Sequence, residues 1–284
     1  ATLFPGERQA EAHVALLFGK GSMYLAFNGN LLYHGCIPMN ADGSFQVVTL
    51  DGQQVTGKAY LDRIDRLVRQ GYFAHDPAQK QFGQDMMWYL WAGPKSPLFG
   101  KRKMATFERY FIDDKATHSE ERNAYYIFRD QEMTVRRIME EFGMNPDTSH
   151  IVNGHVPVKV RRGESPVKAG RKLLVIDGGF ARAYQNETGI AGYTLIFNSY
   201  GLLLAAHEPF QSVQSLIESE TDVQSRTQIL QANARRIRVR DTDLAFQHDR
   251  HHERAICLAD GLSTKATARR RMGGQHHPRH WKPC

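Results

Sequence analysis

Leu31-Leu32-Tyr33-His34-Gly35-Cys36-Ile37-Pro38 is the stretch that decides how this chain is read. Its first three residues form a short, buried-looking strand, and Gly35 and Pro38 force a turn directly behind it. His34 is thereby delivered at the strand's C-terminal end. The same pattern returns further along, where His150-Ile151-Val152 runs into Asn153-Gly154-His155-Val156-Pro157. Two histidines at strand ends, each beside a glycine, make sense if both point into one cleft above a sheet, because ligands in open α/β folds sit outside the strands' carboxyl ends. Glycine lets the backbone bend closely around such a ligand. From the residues alone two readings stay open: a pair of metal ligands, or turn histidines merely held by hydrogen bonds, which is the commoner case.

Outward from these two strands, helical and extended patterns alternate. Pro5 to Gly21 carries an apolar set (Ala12, Val14, Leu16, Leu17) that fits a helix, Met23 to Phe27 reads as a strand, and Asn28-Gly29-Asn30 is a turn. After an Asp51-Gly52 turn, Tyr60 to Val68 shows helical spacing, and Gln84 to Trp91 predicts another helix that stops at Gly93-Pro94. Trp88, Tyr89 and Trp91 lie at helical spacing and are expected in the core. A loop rich in Gly, Pro and Lys follows, through Lys103. Tyr125 to Phe128 is weakly periodic, whereas Glu132 to Phe142 is an amphipathic helix closed by Gly143. Leu173 to Ile176 is an apolar run ending at Asp177-Gly178-Gly179, and Gly192 to Asn198 with Gly201 to Ala206 reads as a hairpin. The fold class is therefore mixed α/β.

The net charge of +7 suggests nucleic acid until its distribution is checked. From Ala245 to Cys284 there are eight Lys or Arg against three Asp or Glu, leaving 29 against 27 in everything before. The body is thus near neutral. Residues 245–284 also hold six of the thirteen histidines and little apolar periodicity, which is expected of a disordered tail or an out-of-frame extension; nucleic-acid binding ranks behind both. Cys36, Cys257 and Cys284 are scattered without a CxxC pair, so neither a zinc knuckle nor a disulfide framework is expected. No apolar run approaches the roughly 18 to 20 residues of a membrane span, and no signal pattern opens the chain, so a cytoplasmic protein without a membrane partner is expected.

The letters around the two histidines carry a resemblance. Leu32-Tyr33-His34-Gly35-Cys36-Ile37-Pro38 resembles the fourth motif of calcineurin-like metallophosphoesterases, a strand followed by His-Gly-Gly or a variant, and Asn153-Gly154-His155 resembles their later Gly-His motif. Leu173 through Gly179 and the hairpin beyond it look like that superfamily's closing strands. Within it, Gly21 through Pro38, Trp91 through Phe111, Asn153 through Lys159, Ile176 through Gly201 and Ala206 through Phe210 are similar to class III fructose-1,6-bisphosphatases of the Firmicutes type. The resemblance spans residues 1–244. It implies the C-terminal half of a metallophosphoesterase sandwich, with a helical insertion at about residues 55–145.

In such enzymes Asp-x-His, Gly-Asp-x-x-Asp and Gly-Asn-His motifs precede the His-Gly block and supply most of a binuclear site. None precedes His34, and Asp249-Arg250-His251 follows the blocks it ought to precede, so an incomplete chain is expected. By resemblance His34 and His155 ligate one metal of a manganese pair, a site in which imidazole suits a borderline transition ion. Two metals polarise phosphoryl oxygens and lower the pKa of a bound water. General acid and bridging ligands are expected outside this chain, and Asp177 is a candidate support for a ligating histidine or a cap for the Gly178-Gly179 turn.

The implied substrate is fructose 1,6-bisphosphate, hydrolysed at its C1 phosphate to fructose 6-phosphate in gluconeogenesis. Its other phosphate needs cations, and Lys101, Arg102, Lys103 and Arg109 are the candidates; a solvated basic loop is the competing reading. Other calcineurin-like phosphoesterases, of the diadenosine tetraphosphatase or protein Ser/Thr phosphatase type, and a catalytically inactive fragment are the alternatives. The candidate protein partners are a separate N-terminal half and a second copy of the chain.

Overall fold

A computed structural model describes residues 5–177, 182–190, 192–208, 214, 217–218 and 225–245. The C-terminal segment whose composition departs from the body lies outside these from residue 246 on, as does the Gly178-Gly179 turn. The chain divides into two units, one comprising residues 1–197 and 201–232, the other 198–200 and 233–284.

In the first unit, helix α1 (Pro5–Lys20) leads into strands β1 (Tyr24–Phe27) and β2 (Asn30–Tyr33), which pair antiparallel about the turn at Asn28 and Gly29, both at positive φ. Asp51 and Gly52 make the tip of a small hairpin, β3 (Val48–Leu50) and β4 (Gln53–Val55), of which sequence reading had only the turn. Helices α2 (Gly57–Phe73) and α3 (Pro77–Ala92) come next. On α2 the buried residues Tyr60, Leu61, Ile64, Leu67, Val68 and Gly71 recur at the three- and four-residue spacing of one helical face. Asp76 starts α3 by accepting from the Gln79 N–H, with Pro77 in the first turn, where its missing N–H costs nothing. The two helices touch backbone to backbone: a Cβ on Gly71 would lie 2.2 Å from Gly83 Cα.

Two short helices, α4 (Thr106–Phe111) and α5 (Tyr125–Phe128), precede α6 (Glu132–Glu141). α6 buries Val135, Ile138 and Met139 and ends as the sequence predicts: Gly143 takes a φ of +71°, and the Met144 N–H reaches back 2.9 Å to the Met139 carbonyl. Strands β5 (His150–Asn153), β6 (Val167–Lys168) and β7 (Leu173–Val175) then complete a five-stranded sheet of order β1-β2-β5-β7-β6. Its centre is parallel, with Leu31 beside Ile151 and Ile151 beside Leu173. Every residue of β5 and β7 is buried, as central strands of a parallel sheet covered on both faces require, His150 and Asn153 at the ends of β5 included.

After α7 (Arg182–Thr188), strands β8 (Gly192–Asn198), β9 (Gly201–His207) and β10 (Ser225–Ala232) form a second sheet of order β10-β9-β8. His207 ties its three strands together, one ring nitrogen 2.7 Å from the Thr194 hydroxyl and the other 2.7 Å from that of Ser225. One core cluster takes Leu31, Ile151 and Leu173 from the first sheet, Leu202, Leu204 and Leu230 from the second, and Tyr60, Ile64, Ile138 and Met139 from the helices. The mixed α/β expectation is borne out. Trp88 and Trp91 correct another: they are 64% and 57% exposed, leaving only Leu90 and Gly83 of α3 buried. Among the described residues no helix is long and apolar enough to cross a membrane.

Candidate metal site at the strand tips

The parallel register brings three sequence-predicted residues to one edge of the sheet. Leu32 lies beside Val152, and Asn153 beside Val175. His34 follows the end of β2 by one residue, and His155 and Asp177 follow β5 and β7 by two. The imidazoles of His34 and His155 meet there, with Nε2 of the first 3.1 Å from Nδ1 of the second and the rings at 65°. The backbone joins them as well, since the Gly154 N–H donates to the His34 carbonyl at 2.9 Å.

A loop from the helical segment closes over this edge. Gly35 leaves room for it: a Cβ there would lie 2.5 Å from the Pro97 carbonyl oxygen and 2.9 Å from that of Leu98. The Cys36 N–H donates to that Pro97 oxygen, and the buried Ser96 hydroxyl accepts from the N–H groups of Leu98 and Phe99, setting the turn. The turn aims the Phe99 carbonyl at His155 Nε2, 2.9 Å away. A carbonyl only accepts, so Nε2 carries the proton and Nδ1, facing His34, is bare. Fixing the tautomer through the remote nitrogen is how a ligating histidine is prepared. His155 also has a φ of +67°, an uncommon conformation for a residue with a side chain.

Both rings are neutral at pH 7. Burial lowers the pKa of His34, with Asp177 opposing. Burial does the same to His155, aided by the neighbouring His34 and by the Lys101 charge, while the Phe99 carbonyl and Asp177 pull the other way. Asp177 thus serves both rings electrostatically, and its backbone carbonyl accepts from the Val158 N–H.

Facing the bare Nδ1 of His155, His34 Nε2 donates the proton of their hydrogen bond; with that proton moved to its own Nδ1, the two nitrogens 3.1 Å apart suit adjacent positions on one divalent ion, since bonds of about 2.1 Å at angles between a right angle and the tetrahedral value separate donors by about 3.0 to 3.4 Å. The pair therefore fits a transition ion as two of its ligands. Among the described residues no three His, Cys, Asp or Glu side chains gather closely enough to complete the set.

The four basic candidates lie in and beyond the closing loop, each beside a carboxylate. Lys101 Nζ is 2.6 Å from Glu120 and Arg109 3.5 Å from the same group, while Arg102 faces Glu121 at 3.4 Å and Lys103 faces Glu108 at 3.8 Å. Glu120, 12% exposed at its side chain, also accepts from the Ala105 N–H, and its pKa is lowered although burial itself pushes it up. Of the four, Lys101 is the one whose charge acts on His155.

Sequence reading missed what lies beneath the histidines. Tyr33, Tyr125 and Asn153 are buried and share one hydrogen-bond network. Asn153, directly before Gly154-His155, was legible as a strand's last polar residue; Tyr125, in a weakly periodic segment, carried no signal. Nearby Arg129, also buried, stacks its guanidinium 4.9 Å over the Tyr126 ring.

Comparison with known proteins agrees with the residues quoted for the resemblance. The family described as Firmicute fructose-1,6-bisphosphatase matches residues 2–251. A class 3 fructose-1,6-bisphosphatase of Alkaliphilus metalliredigens is 60% identical over 243 residues, covering 84% of this chain and 36% of that protein. One of Clostridium novyi is 56% identical over 242 residues, covering 85% and 36%. This chain spans little more than a third of the length of these curated relatives. No solved structure matches it. With all of the described residues inside the family match, histidine pair included, the chain belongs to the Firmicute fructose-1,6-bisphosphatase family.

Proposed function

We propose that this chain supplies the C-terminal part, residues 1–244, of the catalytic domain of a cytoplasmic, manganese-dependent phosphatase that removes the C1 phosphate of fructose 1,6-bisphosphate in gluconeogenesis. The observation that carries the reading is the approach of His34 and His155 at 3.1 Å, with the His155 tautomer set by Phe99, inside a chain of this family. His34 and His155 would hold one manganese. When bound, a pair of such ions supplies Lewis-acid polarisation of the phosphoryl group and an acidified water. Asp177 lies near enough to act on both rings, and the closing loop at residues 93–100 seats its Phe99 carbonyl on His155 while His34 stays open to solvent.

The remaining ligands and the general acid would come from the part of the family's polypeptide that this chain does not span, so the chain alone would be inactive. That second statement is favoured by the lack of a third ligand among the described residues. The measurement is phosphate release from fructose 1,6-bisphosphate with Mn²⁺, made on this chain alone and after adding the remaining portion of a relative's polypeptide. Activity is expected only in the complemented sample. Silence there, with both pieces shown to be folded, overturns the proposal.

For the second substrate phosphate, Lys101 is the first choice among Lys101, Arg102, Lys103 and Arg109, because its charge reaches His155. Its present partner Glu120 also holds Arg109, so Lys101 can exchange a carboxylate for a phosphate without leaving Glu120 unpaired. In the complemented enzyme Lys101→Met should raise KM about tenfold with little change in kcat. An unchanged KM removes Lys101 from the site.

A further inference from the structure

The hydroxyl of Tyr125 lies between the two strands that carry the histidines. It is 2.8 Å from the Tyr33 hydroxyl, on the residue directly before His34, and accepts from Asn153 Nδ2 at 2.7 Å, two residues before His155. The same Asn153 amide donates to the Gly35 carbonyl at 3.0 Å, directly after His34. One oxygen from the helical segment between β2 and β5 therefore bridges the tips of both strands. Tyr125 is itself pinned: its N–H donates to the Asn123 side chain, which also accepts from Met39 N–H, and the Asn123 N–H donates to the Gly100 carbonyl, next to Phe99. Tyr33 and Tyr125 are buried and that burial raises both pKa values, so both hydroxyls stay protonated and the bridge is neutral.

We propose that Tyr125 is a positioning residue: by tying Tyr33 to Asn153 it sets the spacing of the His34 and His155 imidazoles, and thereby the grip of the pair on a divalent cation. The second half rests on the metal-site reading above; the first half does not. Hydrogen-bonded partners one step behind metal ligands typically govern affinity 10- to 100-fold. The arrangement differs from a simple core hydrogen bond in that both partners are joined by one or two backbone links to the proposed ligands.

The test uses the whole chain and the substitution Tyr125→Phe, which keeps the ring and removes one oxygen. Thr188→Val is the control, because Thr188 is likewise buried and loses a hydrogen bond to the Ile190 carbonyl, outside both the closing loop and the strand tips. Without metal, the side-chain ¹⁵N resonances of His34 and His155 report their mutual hydrogen bond. They are expected to move in Tyr125→Phe, to move less in Tyr33→Phe, which leaves the Tyr125–Asn153 bond, and to stay in place in Thr188→Val. Ring resonances of Tyr125→Phe that superimpose on the unaltered chain overturn the proposal, as does an equal shift in Thr188→Val. Addition of Mn²⁺ then reads the second half, since paramagnetic broadening of those two rings should need about 10- to 100-fold more Mn²⁺ in Tyr125→Phe. Broadening at equal Mn²⁺ in both overturns the affinity claim. Rings that move on substitution but never broaden in the unaltered chain uphold the spacing role and reject the metal reading.

Discussion

The strand-tip edge and the helical face of α1 and α3 stand at opposite extremes within one unit. At the edge, side chains are buried and specifically bonded: Tyr33, Tyr125 and Asn153 meet at 2.7 to 2.8 Å, and Gly35 is closed to any Cβ. On the helices, Leu16 and Leu17 of α1 and Trp88 and Trp91 of α3 are all more than half exposed. An open apolar hollow of about 1290 Å³ runs among Val14, Phe18, Tyr72, Met87, Trp88 and Trp91. Tight polar closure and exposed apolar area answer different demands. The first holds two side chains in a fixed relation, whereas the second makes no such demand on geometry.

The largest effect expected from this contrast is that of Gly35→Ala. Its new methyl would meet two backbone carbonyls of the closing loop, neither at the end of a flexible side chain, so the loop itself must move. We expect a loss of about 3 kcal/mol or more in denaturant unfolding and displacement of the Phe99 carbonyl from His155. Gly52→Ala, at a turn with nothing within 4 Å, strains only its own positive φ and should cost about 1 kcal/mol. Equal costs would mean that the closing loop is loosely held.

Next in size is a pH effect on the strand carrying His155. His150, buried at the start of β5, has its pKa lowered to about 4 by burial and then by Lys172. Because the unfolded ring titrates near 6.5, the unfolded chain binds more protons between those values, and stability falls as pH falls. The contribution is complete above about pH 6.5 and is lost towards pH 4. With the Lys172 charge partly screened by solvent, it amounts to on the order of 2 kcal/mol. His34 and His155 shift in the same direction and add to the slope. Unfolding free energies measured across this range should fall on acidification, and His150→Gln should flatten the curve whatever its stability at pH 7. A curve that keeps its slope in His150→Gln assigns the effect to other groups.

How legible each region was follows from the same contrast. The two strand tips were readable because a short apolar run, a histidine and a glycine are local signals, and the sheet register then aligned them without further information. The end of α6 at Gly143 was readable for the same reason. The Tyr125 bridge was not, since it joins residues 92 and 28 positions apart and nothing in Tyr125-Tyr126-Ile127-Phe128 announces the partners. Glu120 was missed likewise: a basic run shows its cations, but the carboxylate that neutralises them lies on a different turn. The tryptophans of α3 failed differently. Their spacing is correct for one helical face, but periodicity shows only that side chains share a face. That face borders the open hollow shared with α1 and α2, because the close contact of α2 with α3 runs through Gly71 and Gly83 instead.

The smallest expected effect tests that last point. A tryptophan in a core costs about 3 to 5 kcal/mol when truncated, because its buried area is lost and a cavity is left. At 64% and 57% exposure, Trp88 and Trp91 pack chiefly against each other, edge to face at 4.9 Å, so their removal leaves no cavity. The double substitution Trp88→Ser and Trp91→Ser should therefore change the unfolding free energy of the monomeric chain by only about 0.5 to 1 kcal/mol, mostly from the lost ring pair and the weaker helix propensity of serine. It should also raise the concentration at which the chain self-associates, since it removes the largest exposed rings from the apolar face. A loss above about 3 kcal/mol, measured by denaturant at a concentration where both proteins are monomeric, would return the two rings to the core and erase the contrast between the helical face and the strand tips.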